Sequence, residues 1–86
     1  MITNWTINSF NYLDSLENEV KLQIKNQFNE MISYFPLRFS EKQIAGQKVN
    51  ICSLLKLPFV IVFQLDIDNE TCTVLRVFHK KQEKRL

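Results

Sequence analysis

Lys56-Leu57-Pro58-Phe59-Val60-Ile61-Val62-Phe63-Gln64-Leu65-Asp66-Ile67-Asp68-Asn69-Glu70-Thr71-Cys72-Thr73-Val74-Leu75-Arg76-Val77-Phe78-His79-Lys80-Lys81 is the stretch whose reading decides the fold. Its two halves are rich in β-branched and aromatic residues, which suit a pleated, buried surface. In the first half Phe59, Ile61, Phe63, Leu65 and Ile67 share one parity, and Val60, Val62, Gln64, Asp66 and Asp68 share the other. Alternation of this kind predicts a strand over 59–67 with one apolar and one semi-polar face, the latter partly open. Asp68-Asn69-Glu70 supplies turn chemistry, and Thr71 to His79 returns as a second strand, in which regular alternation puts Thr73, Leu75, Val77 and His79 on one face and Val74, Arg76 and Phe78 on the other. Pro58 is tolerable at the start of a strand. The hairpin ends in the only His, followed at once by basic residues, so it delivers cations to one edge of a sheet. Such an edge suits an anion, of which nucleic acid is the commonest large example.

Working outward, Val49 to Leu55 reads as a further strand and Lys56-Leu57-Pro58 as a turn. Leu37 to Gln47 is a connector that holds the only Gly, Gly46, with a small helical turn around Ser40–Ile44. Upstream, Leu13, Leu16, Val20, Ile24, Phe28, Met31 and Phe35 recur at spacings of three or four, one face of a helix over 10–35. Asn18 interrupts that run, so a helical hairpin broken near Glu17–Glu19 stands beside a single rod. Pro36 ends it, because the residue before a proline resists helical dihedrals. Asn8 or Ser9 can cap the start, and Ile2 to Ile7 can form an edge strand. The expected order is strand, helix or helical hairpin, then a three-stranded antiparallel meander with the helices on one face, an α+β fold.

The chain of 86 residues makes one domain, 1–86. Seven Phe can fill a core without a metal or a disulfide. The net charge of +2 is small, but its distribution is uneven. Arg76, Lys80, Lys81, Lys84 and Arg85 face Glu83 alone, whereas residues 1–30 are acidic on balance. Cys52 and Cys72 lie in apolar runs and read as reduced core thiols, a disulfide between neighbouring strands being the other option. Neither metal-ligand spacing nor a cofactor motif is present. No run approaches the ~20 apolar residues that cross a bilayer, and the expected location is the cytoplasm.

Three groups of residues resemble one family. Lys56-Leu57-Pro58-Phe59 through Asp66 resembles the strand that RelE/ParE-type bacterial toxins open with lysine and Phe-Pro-Tyr and close with Tyr-x-Ile-Asp. Thr73-Val74-Leu75-Arg76-Val77-Phe78-His79-Lys80-Lys81 is similar to their closing strand, and Lys48-Val49-Asn50 stands where that family has Val-Arg-Arg. Tyr34-Phe35-Pro36, Trp5 and Leu13-Asp14-Ser15-Leu16 resemble the family more weakly. The resemblance implies a RelE/ParE-like fold and the toxin half of a type II toxin–antitoxin pair, with growth inhibition, plasmid stabilisation, and a small antitoxin that wraps the toxin in a hetero-oligomer.

That family carries two activities on one fold. RelE-type members cleave messenger RNA on the ribosome, using the RNA 2′-hydroxyl as nucleophile; ParE-type members bind and inhibit DNA gyrase. Under the first activity His79 is the acid/base, and Arg76, Lys48, Lys80 and Lys81 hold phosphate. Under the second, Lys48, Lys80, Lys81, Lys84 and Arg85 are partner contacts. Bland readings stand beside these: His79 as a strand-end cap, Arg76 ion-paired with Asp66 or Asp68, the tail as a solvated end, Trp5 as a core lid. Val60 occupies the place where cleaving relatives carry arginine, and the tail lacks the tyrosine some of them have. A ParE-like toxin that acts by binding is therefore the favoured expectation, with a messenger-cleaving enzyme and a non-toxic, antitoxin-binding member as alternatives.

Overall fold

The computed structural model describes residues 2–34 and 39–85, with the side chains of Tyr34, Ser40 and residues 83–85 left aside. The chain runs β1 (Ile2–Trp5), α1 (Ile7–Asp14), α2 (Asn18–Tyr34), β2 (Ser40–Ile44), β3 (Gln47–Ser53), β4 (Phe59–Asp66), β5 (Thr71–His79) and a 3-10 helix (Lys80–Arg85). The strands form one sheet in the order β1-β5-β4-β3-β2. β1 lies parallel to β5, and the other pairs are antiparallel.

The helical hairpin is the form adopted. Thr6, rather than Asn8 or Ser9, caps α1: its Oγ1 accepts from Ser9 N at 3.3 Å. The Ser9 hydroxyl is buried and donates to Thr6 O at 2.9 Å or Val74 O at 3.2 Å, which pins α1 against β5. The chain breaks after Asp14, and a 2.9 Å ion pair from Lys21 to Asp14 spans the break. In α2, Ile24, Phe28 and Ile32 recur every fourth residue and are fully or almost fully buried. Each such side chain contributes roughly 1.5–3 kcal/mol by leaving water. The predicted end at Phe35–Pro36 lies outside the described residues.

The helices cover one face of the sheet. Trp5 meets Phe28 at 5.8 Å between ring centroids, Phe28 meets Phe63 at 5.1 Å and Phe63 meets Phe39 at 5.1 Å, all edge to face. Trp5 is thus part of the core's lid. Cys52 and Cys72 are buried on this face and reduced. They sit on β3 and β5 with β4 between them, Cys52 opposite Ile61 and Cys72 opposite Leu65, so they are two strand spacings (about 9.5 Å) apart across the sheet and about 14 Å apart along it, too far for the bridge that was one option.

Two expectations are corrected. Ser40–Ile44 is a strand, not a helical turn, so the meander has four strands. Ala45 (φ 52°) and Gly46 (φ 80°) both take the left-handed region, the requirement of a two-residue hairpin turn whose twist matches the strands. The face of β4 opposite the helices is partly open, as its sequence predicts. Val60 and Val62 are 0% and 4% exposed there, packed with Val49 and Phe78 in a second small core, while Gln64 and Asp66 meet solvent. Finally, β5 is not regular. Val62 pairs with Arg76 but Phe63 with Val74, so Leu75 is an extra residue. The bulge changes parity: Val74 joins Val77 on the helix face, and Thr73, not Val74, shares a face with Arg76 and Phe78. No helix among the described residues is long and apolar enough to cross a membrane.

Candidate functional site

The two ends of the β4–β5 hairpin differ in charge. At the turn end a cleft of about 630 Å³ is lined by Glu41, Asp66 and Asp68 among others, with Lys48 as its one cation among the described residues. Lys48 lies 3.9 Å from Glu41. Asn69 donates to Asp66 from its side chain (2.7 Å) and backbone (3.2 Å), and those bonds hold the Asp66 carboxyl below its usual range. At the other end stand His79, Lys80 and Lys81, with Arg76 three residues before His79. Gln64 Nε2 donates to Lys48 O, five residues along β4 from Phe59, the partner of His79. At ~3.4 Å per residue, Lys48 is roughly 17 Å from the His79 end. The sheet therefore does not gather Lys48 with the other candidates.

His79 closes the strand. Its Nδ1 accepts the Lys81 N–H at 3.1 Å, its own N–H donates to Gln82 Oε1 at 3.3 Å, and its ring stands edge-on to Phe59 at 5.4 Å. Lys80 N donates to Pro58 O at 2.8 Å and fastens the 3-10 helix to the β3–β4 loop. An Nδ1 that accepts a backbone N–H carries no proton, so the neutral ring holds its proton on Nε2. Nε2 is then a donor, and the Nδ1 lone pair that a general base needs is already engaged. This is the geometry of a strand-end cap.

Arg76 is exposed and points to the face opposite His79, as the parity near the strand end requires. It has no ion pair with Asp66 or Asp68, which lie at the far end of the hairpin. Its guanidinium rests over the Phe78 ring instead, 5.5 Å from the centroid. Arg76 also lines a second cleft of about 310 Å³ with Asn8, Tyr12, Val77, Phe78 and Gln82. Burial raises the Tyr12 phenol above its ordinary value, and hydrogen bonding with the His79 backbone partly opposes this. Tyr12 packs edge to face on Phe59 at 6.4 Å. Sequence reasoning does not single out Asn8, Tyr12 or Gln82 as site residues. The available signal is the four-residue spacing of Asn8 and Tyr12, which places both on one side of a helix. Lys80 and Lys81 are exposed beside the cleft; the Lys84 and Arg85 side chains lie outside the described residues. No cluster of three metal-ligating side chains exists among the described residues.

The sequence matches no protein-family model and no curated protein sequence. The fold has solved counterparts. A chain of the toxin–antitoxin complex RelBE2 from Mycobacterium tuberculosis superposes with a TM-score of 0.75 at 16% identity, covering 91% of this chain and 88% of that one. A chain of the archaeal RelE–RelB complex from Pyrococcus horikoshii gives 0.69 at 12% identity, covering 92% and 93%. The isolated RelE toxin of E. coli gives 0.69 at 13%, covering 98% and 96%. At these identities the likeness is one of fold, and the fold is that of the RelE toxins.

Proposed function

We propose that this RelE-like chain is the toxin half of a toxin–antitoxin pair and that it acts by binding a protein target, as ParE-type toxins do, rather than by cleaving RNA. The fold supports the first half of that reading, and two of its solved counterparts are complexes with an antitoxin. An antitoxin partner and a hetero-oligomer follow from the same reading, with DNA gyrase as the first target to test. The observation that carries the binding half is the engaged Nδ1 of His79. The only His in the chain is committed to capping a strand, and Val60 and Val62 fill the centre of the face where a phosphate would need cations.

The test is induction in cells without the partner gene, with separate readouts of messenger integrity and DNA supercoiling. The binding reading expects supercoiling defects with intact messages. Rapid messenger cleavage that disappears in Arg76→Ala or His79→Ala sinks it and favours the RNA-cleaving reading, for which the Arg76–Tyr12 cleft is the specific support. Normal growth in both readouts identifies a non-toxic, antitoxin-binding member.

A further inference from the structure

Every polar side chain among those that line the cleft between α1 and the end of β5 can donate a hydrogen bond. Arg76 supplies the guanidinium, Tyr12 a phenol, and Asn8 and Gln82 side-chain amides. Gln82 Oε1 already accepts from His79 N, which leaves its NH₂ to donate. The Tyr12 phenol, whose ordinary value already lies well above neutrality and is raised further by burial, is a donor at neutral pH. Among the described residues no carboxylate lines the cleft, whereas the turn-end cleft holds three. The phenyl ring of Phe78 beneath Arg76 limits where the guanidinium can go, which lowers the ordering cost of a ligand contact.

The strand edge adds a second element. β1 reaches only Val74 along β5, and Thr6 takes over by donating from its hydroxyl to Leu75 O. Lys80 N–H turns the other way, to Pro58 O. Alternation between those two points directs the backbone N–H and C=O of Val77 toward the cleft. A partner that brings both a donor and an acceptor of its own can meet that pair. An extended peptide does so, and a phosphodiester cannot.

We infer that this cleft is a socket for one acidic side chain of a partner protein, seated on Arg76, Tyr12 and Gln82 with its flanking backbone against Val77. A single guanidinium matches the two oxygens of one carboxylate. A single-stranded nucleic acid would want aromatic faces open to stacking, yet Phe78 is buried and Tyr12 is packed on Phe59. Ile7, next to Asn8 and 80% exposed, offers apolar surface of the kind a peptide covers. The inference rests on the reading above only in making the partner a protein.

The test titrates the purified, isotope-labelled chain with the blocked peptide acetyl-Val-Glu-Val-amide, its Gln counterpart and a short oligouridylate, followed by NMR. The Glu peptide is expected to shift the Tyr12, Arg76 and Gln82 signals saturably, and the Gln peptide to bind about tenfold more weakly for want of the charge. Arg76→Gln, at an exposed position, should remove the difference between the peptides; Tyr12→Phe should weaken the Glu peptide a few-fold, and Lys48→Gln should change nothing. Equal binding of the two peptides, or shifts spread over Lys42 and Lys48 as well, overturns the socket. Tighter binding of the oligouridylate at the same signals overturns the choice of partner. These outcomes do not depend on growth inhibition, so a failed toxicity test leaves the titration decisive, and a toxic protein that ignores the Glu peptide refutes only the socket.

Discussion

The β4–β5 hairpin and the β2–β3 hairpin lie side by side in one sheet, yet different physics specifies them. β4 is buried on both faces over its first five residues, with Phe59, Ile61 and Phe63 under the helices and Val60 and Val62 in the second core. β2 forms an outer edge of the sheet, and Glu41, Lys42 and Gln43 are exposed. Burial alone is enough to define the first hairpin. The second depends on ladder hydrogen bonds and on a turn whose two central residues both take positive φ. Local stability should follow that division, because segments with few buried apolar contacts open first.

The largest effect expected is in the buried hairpin. Phe63 is fully buried and meets both Phe28 and Phe39 edge to face. Phe63→Ala should cost about 3–5 kcal/mol, the lost transfer energy plus that of a cavity. For a domain of ordinary stability that is a large share of the total. The midpoint of urea denaturation reads it directly. A loss below about 1 kcal/mol would mean that the helices do not seal this face.

Each hairpin carries one buried thiol, which allows the two to be compared in a single experiment. Burial pushes the Cys52 thiol up to about 11 and Cys72 up to about 12. Both raised values mean that the folded chain holds its thiol protons longer than the unfolded chain. Stability should therefore fall as pH rises above the unfolded value of 9 and level off near the folded ones. At pH 8 the thiolate fraction of Cys52 is roughly a hundredfold below that of a free thiol, and Cys72 is lower still. Alkylation followed by mass spectrometry should label Cys52 first, through its more accessible pKa and the weaker hairpin that carries it. Labelling of Cys72 first would reverse the proposed order of stability.

The same contrast explains what is legible in the sequence. The unbroken apolar run Phe59–Phe63, the alternation from Phe63 to Asp66 and the run to His79 reveal the central hairpin, because burial on both faces leaves the first pattern and burial on one face the second. The helical period from Leu13 to Phe28 is visible for the same reason, and Asn18 marks the break; beyond it the reading continues to Met31, whereas Ile32 is the residue that the fold buries. Ser40–Ile44 reads as helical because Glu41, Lys42 and Gln43 favour helices, and an exposed edge strand has no apolar alternation to contradict them. The bulge at Leu75 leaves no compositional mark, so simple alternation along β5 assigns the wrong face before it and the right one after it. At the site, His79 and Arg76 are legible by chemical type. Tyr12 and Asn8 are not, since a helix surface position acquires a role only when the fold lays β5 beside it. Lys48 reads as a member of the basic group by its charge, but its distance from His79 is a matter of register.

The smallest effects test the turn of the weaker hairpin, and they should have opposite signs at adjacent residues. Gly46 sits at φ 80° with nothing within 4 Å of the position an added methyl would take, so Gly46→Ala meets no neighbour and suffers only backbone strain. That strain exceeds the entropy the alanine removes from the unfolded chain, for a net loss of about 1 kcal/mol. Ala45 already bears such strain at φ 52°. Ala45→Gly relieves it, the added unfolded-state entropy takes back a part, and a net gain of about 0.5 kcal/mol remains. Denaturation midpoints of the two variants, measured together, cancel most systematic error. Opposite signs would establish that dihedral preference specifies β2–β3, and like signs would show that its ladder to β4 holds the hairpin whatever the turn prefers.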